Sequence, residues 1–327
     1  MDVNIFQILG FLLAAYSVVA NDSLQTLGTY LSSNKGRTPK IVQMVFICGV
    51  AAAVLLIGWS LHPAGGGLGD PAWGRLEKFP LPENFSWVYL LPPLAVLALT
   101  QWGAPVSTSF LVLSAFVPKN AFKLVLNSLS GYVMAFLLAL VVYGLLMWLL
   151  ERKVLRSKEQ GTEANKVWFA LQWLSTGWLW SQWLVQDMAN IFVYLPRELS
   201  LGGMVLATLM LCLGLCVLVA IGGGPIQGVL RNKINTTDLR SATVIDFLFG
   251  CVLFWKANIT KFPLSTTWVF LGLLAGREIA IRLRLKLAES DRQPLQKVLG
   301  SDLIKAGVGI IVSLIVALAI QPLKAIG

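Results

Sequence analysis

Two short polar clusters interrupt a chain that is otherwise strongly apolar. The first is Asn21, Asp22 and Gln25, inside "VANDSLQTLGT" at 19–29. The second is Gln186, Asp187 and Asn190, inside "VQDMANIFVYL" at 185–195. Carboxylate and carboxamide oxygens are hard ligands suited to a monovalent cation such as Na⁺, and a carboxylate by itself can also carry H⁺. A second pair of motifs reads proline, apolar, then three hydroxyl residues. These are Pro105, Val106, Ser107, Thr108 and Ser109, and Pro263, Leu264, Ser265, Thr266 and Thr267. Proline lacks an N–H and disfavours helix in the residue before it, so it ends an incoming helix. The following serine can cap an outgoing one. A helix that begins there presents free N–H groups and partial positive charge, the ingredients of an anion site. Serine and threonine in membrane helices also bond back to the carbonyl four residues earlier. Recurrence of the motif favours the anion site.

The elements that must position these residues follow from hydropathy. Of 327 residues, 56% are hydrophobic and 13% charged, with mean hydropathy +0.73. A soluble domain carries about twice that charge. Apolar runs recur at 4–20, 41–59, 124–150, 167–185, 199–221 and 303–320, most of them long enough to cross a bilayer. The fold class is therefore an all-α polytopic membrane protein, multi-pass in a bacterial-type inner or plasma membrane. Shorter apolar pieces, 87–99 with 106–117 and 244–255 with 268–276, flank the two proline motifs as broken pairs.

The same order occurs twice: span, polar cluster, span, broken pair, span. Asp22 lies 83 residues before Pro105, and Asp187 lies 76 before Pro263. This divides the chain into a first repeat at 1–150, a linker at 151–166 and a second repeat at 167–327. If 34–40 and 151–166 are cytoplasmic, 60–86 and both termini fall outside. The halves then come out with inverted topology, each with a re-entrant broken hairpin. Lysine and arginine crowd 34–40, 151–166, 222–243 and 277–300, whereas Arg75, Lys78, Lys119, Lys123, Arg197 and Lys324 fall opposite. That bias supports the orientation, and inverted repeats with interrupted helices typify alternating-access transporters.

Other residues carry less. Lys256 and Lys261 precede the second proline motif; either can pair with an anion, substitute for a coupling cation, or snorkel towards the cytoplasm. Asp246 and Glu278 read as loop-edge charges. "GGGPIQG" at 222–228 lacks the lysine of a phosphate loop and reads as a turn. Cys48, Cys212, Cys216 and Cys251 sit in apolar spans and read as packing. His62 is the single histidine, so neither a histidine catalytic dyad nor a multi-histidine metal site is available. The net charge of +10 reflects topology; no basic and aromatic stripe marks a nucleic-acid groove.

These four motifs together resemble the inorganic phosphate transporters, PiT, whose halves each carry "GANDVANxxGT" and "PVSTTH". "VANDSLQTLGT" and "VQDMANIFVYL" are similar to the first, "APVSTSF" and "FPLSTTW" to the second. Gln25 and Gln186 stand where the family has asparagine, and Phe110 and Trp268 where it has histidine. The resemblance implies that Asp22 and Asp187, with Asn21, Gln25, Gln186 and Asn190, sit at the cation and substrate centre. It implies that Ser107, Thr108, Ser109, Ser265, Thr266 and Thr267 hold the anion, and that the protein is a homodimer. The expected activity is symport of an inorganic anion with Na⁺ or H⁺, without a cofactor beyond a bound Na⁺. Phosphate is the leading anion and sulfate the alternative. A membrane enzyme lacks a nucleophile and base here, and a channel would draw its pore from oligomeric symmetry.

Overall fold

The computed structural model describes residues 3–104, 106–159, 166–222, 238–259, 262–285 and 295–323. Pro105, Lys261, both chain ends, most of the "GGGPIQG" loop and the charged stretch 286–294 lie outside them.

Helix α1 (Ile5–Thr26) runs through Asn21, Asp22 and Gln25 without a break, so Asp22 caps nothing. The chain bends at Leu27 and continues as α2 (Gly28–Ser33) and α3 (Lys40–Leu61). A loop with strands β1 (Pro63–Gly65) and β2 (Leu68–Gly69) leads to the pair α4 (Leu91–Gln101) and α5 (Thr108–Phe116). Next come α6 (Ala121–Val142), a π-helical turn at Tyr143–Met147 and α7 (Trp148–Glu159). The order then recurs: α8 (Lys166–Asp187), a break at Met188, short α9 (Ala189–Phe192), strand β3 (Leu199–Ser200) and α10 (Leu201–Ile221). A second pair follows, α11 (Leu239–Ile259) and α12 (Thr266–Leu285), and then α13 (Leu295–Leu323).

Among the described residues, five helical segments are long and apolar enough to cross a membrane: Ile5–Asp22, Lys40–Leu61, Pro118–Leu145, Leu201–Ile221 and Leu239–Ile259. This is a multi-pass membrane protein. Leucine and isoleucine side chains at the outer faces of these helices, such as Ile41, Ile57, Leu137 and Leu213, are exposed because lipid is their solvent.

The second pair differs from expectation. Its helices are not half-span pieces but 21 and 20 residues long. At 1.5 Å per residue each measures about 30 Å, a full bilayer core. Helix continues through the charges because they are paired internally. Arg277 and Glu278, expected in a cytoplasmic loop or at its edge, are both fully buried in α12. Arg277 Nη2 lies 2.7 Å from Glu151 Oε1, and Ser241 donates to the same carboxylate. Glu278 pairs with Arg282 one turn on. The linker expected at 151–166 thus begins as helix, with Glu151 buried. Asp246, also expected at a loop edge, is buried in α11 and accepts from Thr29 Oγ1 at 2.5 Å and Thr176 Oγ1 at 2.6 Å.

Packing explains how α12 sits so close to α6. Gly272 and Gly276 lie directly against the carbonyls of Tyr132 and Phe136, where a Cβ has no room. The tip of this pair reaches the end of the molecule that carries β1 and β2. Phe262 lies under Lys123 at 4.6 Å and packs on Phe79, and Asn127 donates to the Phe262 and Pro263 carbonyls. Strand β3 pairs with β2 at that same end, tying the start of α10 to the loop after α3. The cysteines pack as read: Cys48 and Cys216 Sγ approach to 3.7 Å between α3 and α10 as free thiols.

Candidate functional site

Both polar clusters fold into one buried network with both proline motifs. Asp22 and Asp187 are each 0% exposed. Ionised carboxylates at such depth cost several kcal/mol, roughly, unless their environment compensates. Asp22 is fully engaged: Asn21 Nδ2 donates to Oδ1 at 2.7 Å and Thr108 Oγ1 to Oδ2 at 3.2 Å. Asn21 also clamps the backbone at the first motif, donating to the Val106 carbonyl at 2.9 Å and accepting from the Val106 N–H at 3.2 Å.

Asp187, last residue of α8, meets the same α5 terminus from the other side. Ser109 Oγ lies 3.0 Å from Asp187 Oδ1 and equally far from the Leu264 carbonyl; its single proton serves one at a time. Asn190 Nδ2 lies 2.7 Å from Asp187 Oδ1, 3.0 Å from Ser109 Oγ and 3.2 Å from Thr108 Oγ1. Gln25 reaches from α1 to Thr266 Oγ1 at 3.3 Å, and Thr267 donates to the Val106 carbonyl at 2.9 Å. First-half and second-half motifs are therefore cross-linked.

The two proline motifs start helices in the same way. Ser107 Oγ accepts from the Phe110 N–H at 3.1 Å, and Ser265 Oγ from the Trp268 N–H at 3.3 Å. That satisfies one of the unpaired donors of each helix start. The N–H groups of Thr108 and Ser109, and of Thr266 and Thr267, remain without an intrahelical partner by the geometry of any α-helix. The hydroxyls of Thr108, Ser109 and Thr267 are turned to carboxylates and carbonyls. The donors left for an anion are thus chiefly backbone.

Among the described residues, three buried oxygens in this network have no hydrogen-bond partner: Gln25 Oε1, Asp187 Oδ2 and Asn190 Oδ1. Carboxamide and carboxylate oxygens are the donor types a hard cation takes. Leaving buried acceptors unpaired costs about 1–3 kcal/mol each, and a bound ion removes that cost.

Two predicted residues stand apart. Gln186 does not join the cluster of oxygens; it donates to the Leu253 carbonyl and accepts from Arg75 at 3.0 Å. Among the described residues Lys256 contacts no carboxylate: its ammonium donates to Asn127 Oδ1 and Ser130 Oγ, both at 3.0 Å. Lys261 lies outside the described residues. Arg75 is the residue that sequence reasoning missed. Counted among the external charges, it is only 6% exposed and points inward to Gln186. Its flanking "DPAWG" turn signal marks a tight bend but not the direction of the next side chain.

Helices of this membrane protein thus converge on two buried carboxylates, Asp22 and Asp187. The fold is similar to that of a solved structure of the sodium-dependent phosphate transporter, with a TM-score of 0.60 and 14% identity over 98% of this chain and 97% of that one. No protein-family model matches the chain, and no curated protein does.

Proposed function

We propose that this protein moves inorganic phosphate across the membrane together with Na⁺, by alternating access to the centre between Asp22 and Asp187. The observation that carries the reading is the trio of unpartnered buried oxygens, Gln25 Oε1, Asp187 Oδ2 and Asn190 Oδ1, beside two helix N-termini. The oxygens take Na⁺. The backbone donors at Thr108, Ser109, Thr266 and Thr267 take the anion, and the cation offsets its charge beside two carboxylates. Phosphate suits this centre better than sulfate: near neutral pH it carries a proton to donate to a carboxylate, whereas sulfate offers only acceptors.

The halves are inverted repeats, with 60–86 and both termini outside. The pair α4 and α5 is a re-entrant hairpin, and the breaks at Leu27 and Met188 are where the halves flex. Two protomers assemble as a homodimer, each with its own pathway. The full-length similarity to the sodium-dependent phosphate transporter supports this reading. Uptake of labelled phosphate into proteoliposomes, with and without a Na⁺ gradient and with sulfate or arsenate as competitor, tests it. Na⁺-driven accumulation that sulfate does not inhibit is expected. Uptake that follows an H⁺ gradient alone, or prefers sulfate, overturns the coupling or the substrate. Cysteine labelling of 60–86 and 160–165 from one and the same side overturns the topology.

A further inference from the structure

Three of the four cysteines meet where α3 packs against α10. Cys48 comes from the first half of the chain, Cys212 and Cys216 from the second. Cys48 Sγ lies 3.7 Å from Cys216 Sγ. One turn earlier on α10 the contact is reciprocal. The Cys48 thiol reaches the Cys212 carbonyl at 3.6 Å, and the Cys212 thiol reaches the Cys48 carbonyl at 3.8 Å. Side chains this short touch the opposing backbone only where two helices approach closely.

The three thiols border lipid. All are free and partly exposed. The residue three positions before each of them, Val45, Leu209 and Leu213 in turn, is exposed. Apolar side chains exposed on spanning helices face hydrocarbon. Among the described residues no group of three or more cysteine, histidine or acidic side chains is arranged to hold a metal ion. Packing alone asks for a small apolar side chain at each position, not for sulfur against sulfur. The sulfurs of a disulfide lie about 2.0 Å apart. From 3.7 Å the pair closes with a movement of about 1.7 Å, which thiol rotation and a small helix shift supply.

We propose that Cys48 and Cys216 are a dithiol modification site, closed to a disulfide by a quinone dissolved in the bilayer. Two S–H bonds break and one Sγ–Sγ bond forms. The two electrons and two protons pass to the quinone, which leaves as the quinol. A dithiol reductant reverses the step by thiol–disulfide exchange. The bond joins residues 168 positions apart and ties α3 to α10. It therefore locks the first half to the second, and transport that needs the halves to move against each other stops. This last consequence rests on the transport reading above; the disulfide itself does not.

Oxidation of the full-length protein in proteoliposomes tests it. One sample receives a fully substituted quinone, which has no free ring position for a thiol to add to. A second receives copper(II)–phenanthroline in air, a strong general oxidant of thiol pairs. Peptide mapping by mass spectrometry is expected to find Cys48 linked to Cys216 in both, and dithiothreitol to remove the link. No linked peptide in either sample, or a link from Cys48 to Cys212 or Cys251 instead, overturns the pair. A link made by the copper chelate alone overturns the quinone as oxidant. Phosphate uptake by the wild type should fall at least tenfold on oxidation and return with dithiothreitol. Cys48→Ala and Cys216→Ala should keep their uptake under oxidant, whereas Cys251→Ala should lose it as the wild type does. A linked protein with undiminished uptake, or equal loss in Cys48→Ala, overturns the lock. A reduced wild type that takes up no phosphate, yet yields the linked peptide, overturns the transport reading and leaves the modification site standing.

Discussion

Asp22 and Asp187 occupy corresponding places in the two halves but are used differently. Asp22 lies within an unbroken helix with both oxygens hydrogen-bonded, and its neighbour Asn21 stitches it to the backbone of the first proline motif. Asp187 ends its helix, and Oδ2 is left without a donor, as are the oxygens of Asn190 and Gln25. One cluster is a structural clasp and the other keeps open valence. The position of the helix break accounts for this. Leu27 follows the first cluster, so α1 holds Asn21, Asp22 and Gln25 in helical register. Met188 falls inside the second, so Asp187 and Asn190 belong to different helices and bond each other across the break. A symmetric motif becomes an asymmetric site.

The proline-motif pairs are unequal too. The first joins helices of 11 and 9 residues, the second helices of 21 and 20. Length in the second pair is made possible by glycines that admit α6 and by a buried ion pair that neutralises charge inside α12.

The largest effect that separates the clusters is expected from the carboxylates. Asp22→Asn and Asp187→Asn should each abolish phosphate uptake with folding intact. Binding of labelled Na⁺ without phosphate should be lost in Asp187→Asn and largely kept in Asp22→Asn. Equal Na⁺ loss in both would erase the proposed division of labour, and full uptake by both would remove the centre altogether.

Next in size is the ion pair that belongs to the second half's long helix. Glu151→Ala removes the carboxylate that pairs with buried Arg277, at a cost of about 3–5 kcal/mol. Thermal unfolding in detergent should show it, while the double variant Glu151→Leu with Arg277→Met should recover most of the loss. A smaller effect is expected from Gly272→Ala, which forces α12 off the Tyr132 carbonyl and costs about 1–3 kcal/mol by overpacking. Gly202→Ala, where nothing lies near, should be neutral by the same assay.

The smallest effect probes the family difference at Gln25. Gln25→Asn shortens the side chain and forfeits its contact with Thr266. A net hydrogen bond of about 1 kcal/mol predicts roughly a fivefold change in apparent Na⁺ affinity, read from uptake at varied Na⁺. No change would place Gln25 outside the ion's shell.

Much of this was legible without coordinates. The repeated order of span, acid, span, proline motif and span is a periodicity of composition, and hydropathy follows directly from residue type. Pairing Asp22 with Asp187, and Ser107 with Ser265, needed only the comparison of one half with the other. The second pair is less legible, because in a sequence charge reads as a sign of water. Arg277, Glu278 and Asp246 look like loop residues until their partners are known. Those partners, Glu151, Thr29 and Thr176, lie far away in the chain.

The sequence by itself determined that this is a polytopic helical membrane protein with two similar polar clusters, because apolar length and motif order are local properties of the chain. Only the tertiary structure decided which oxygens stay unpaired, which charges are buried and that Arg75 turns inward. Each of those depends on contacts between residues distant in sequence. Whether a carboxylate binds an ion or clasps a helix is set by what surrounds it, not by what it is.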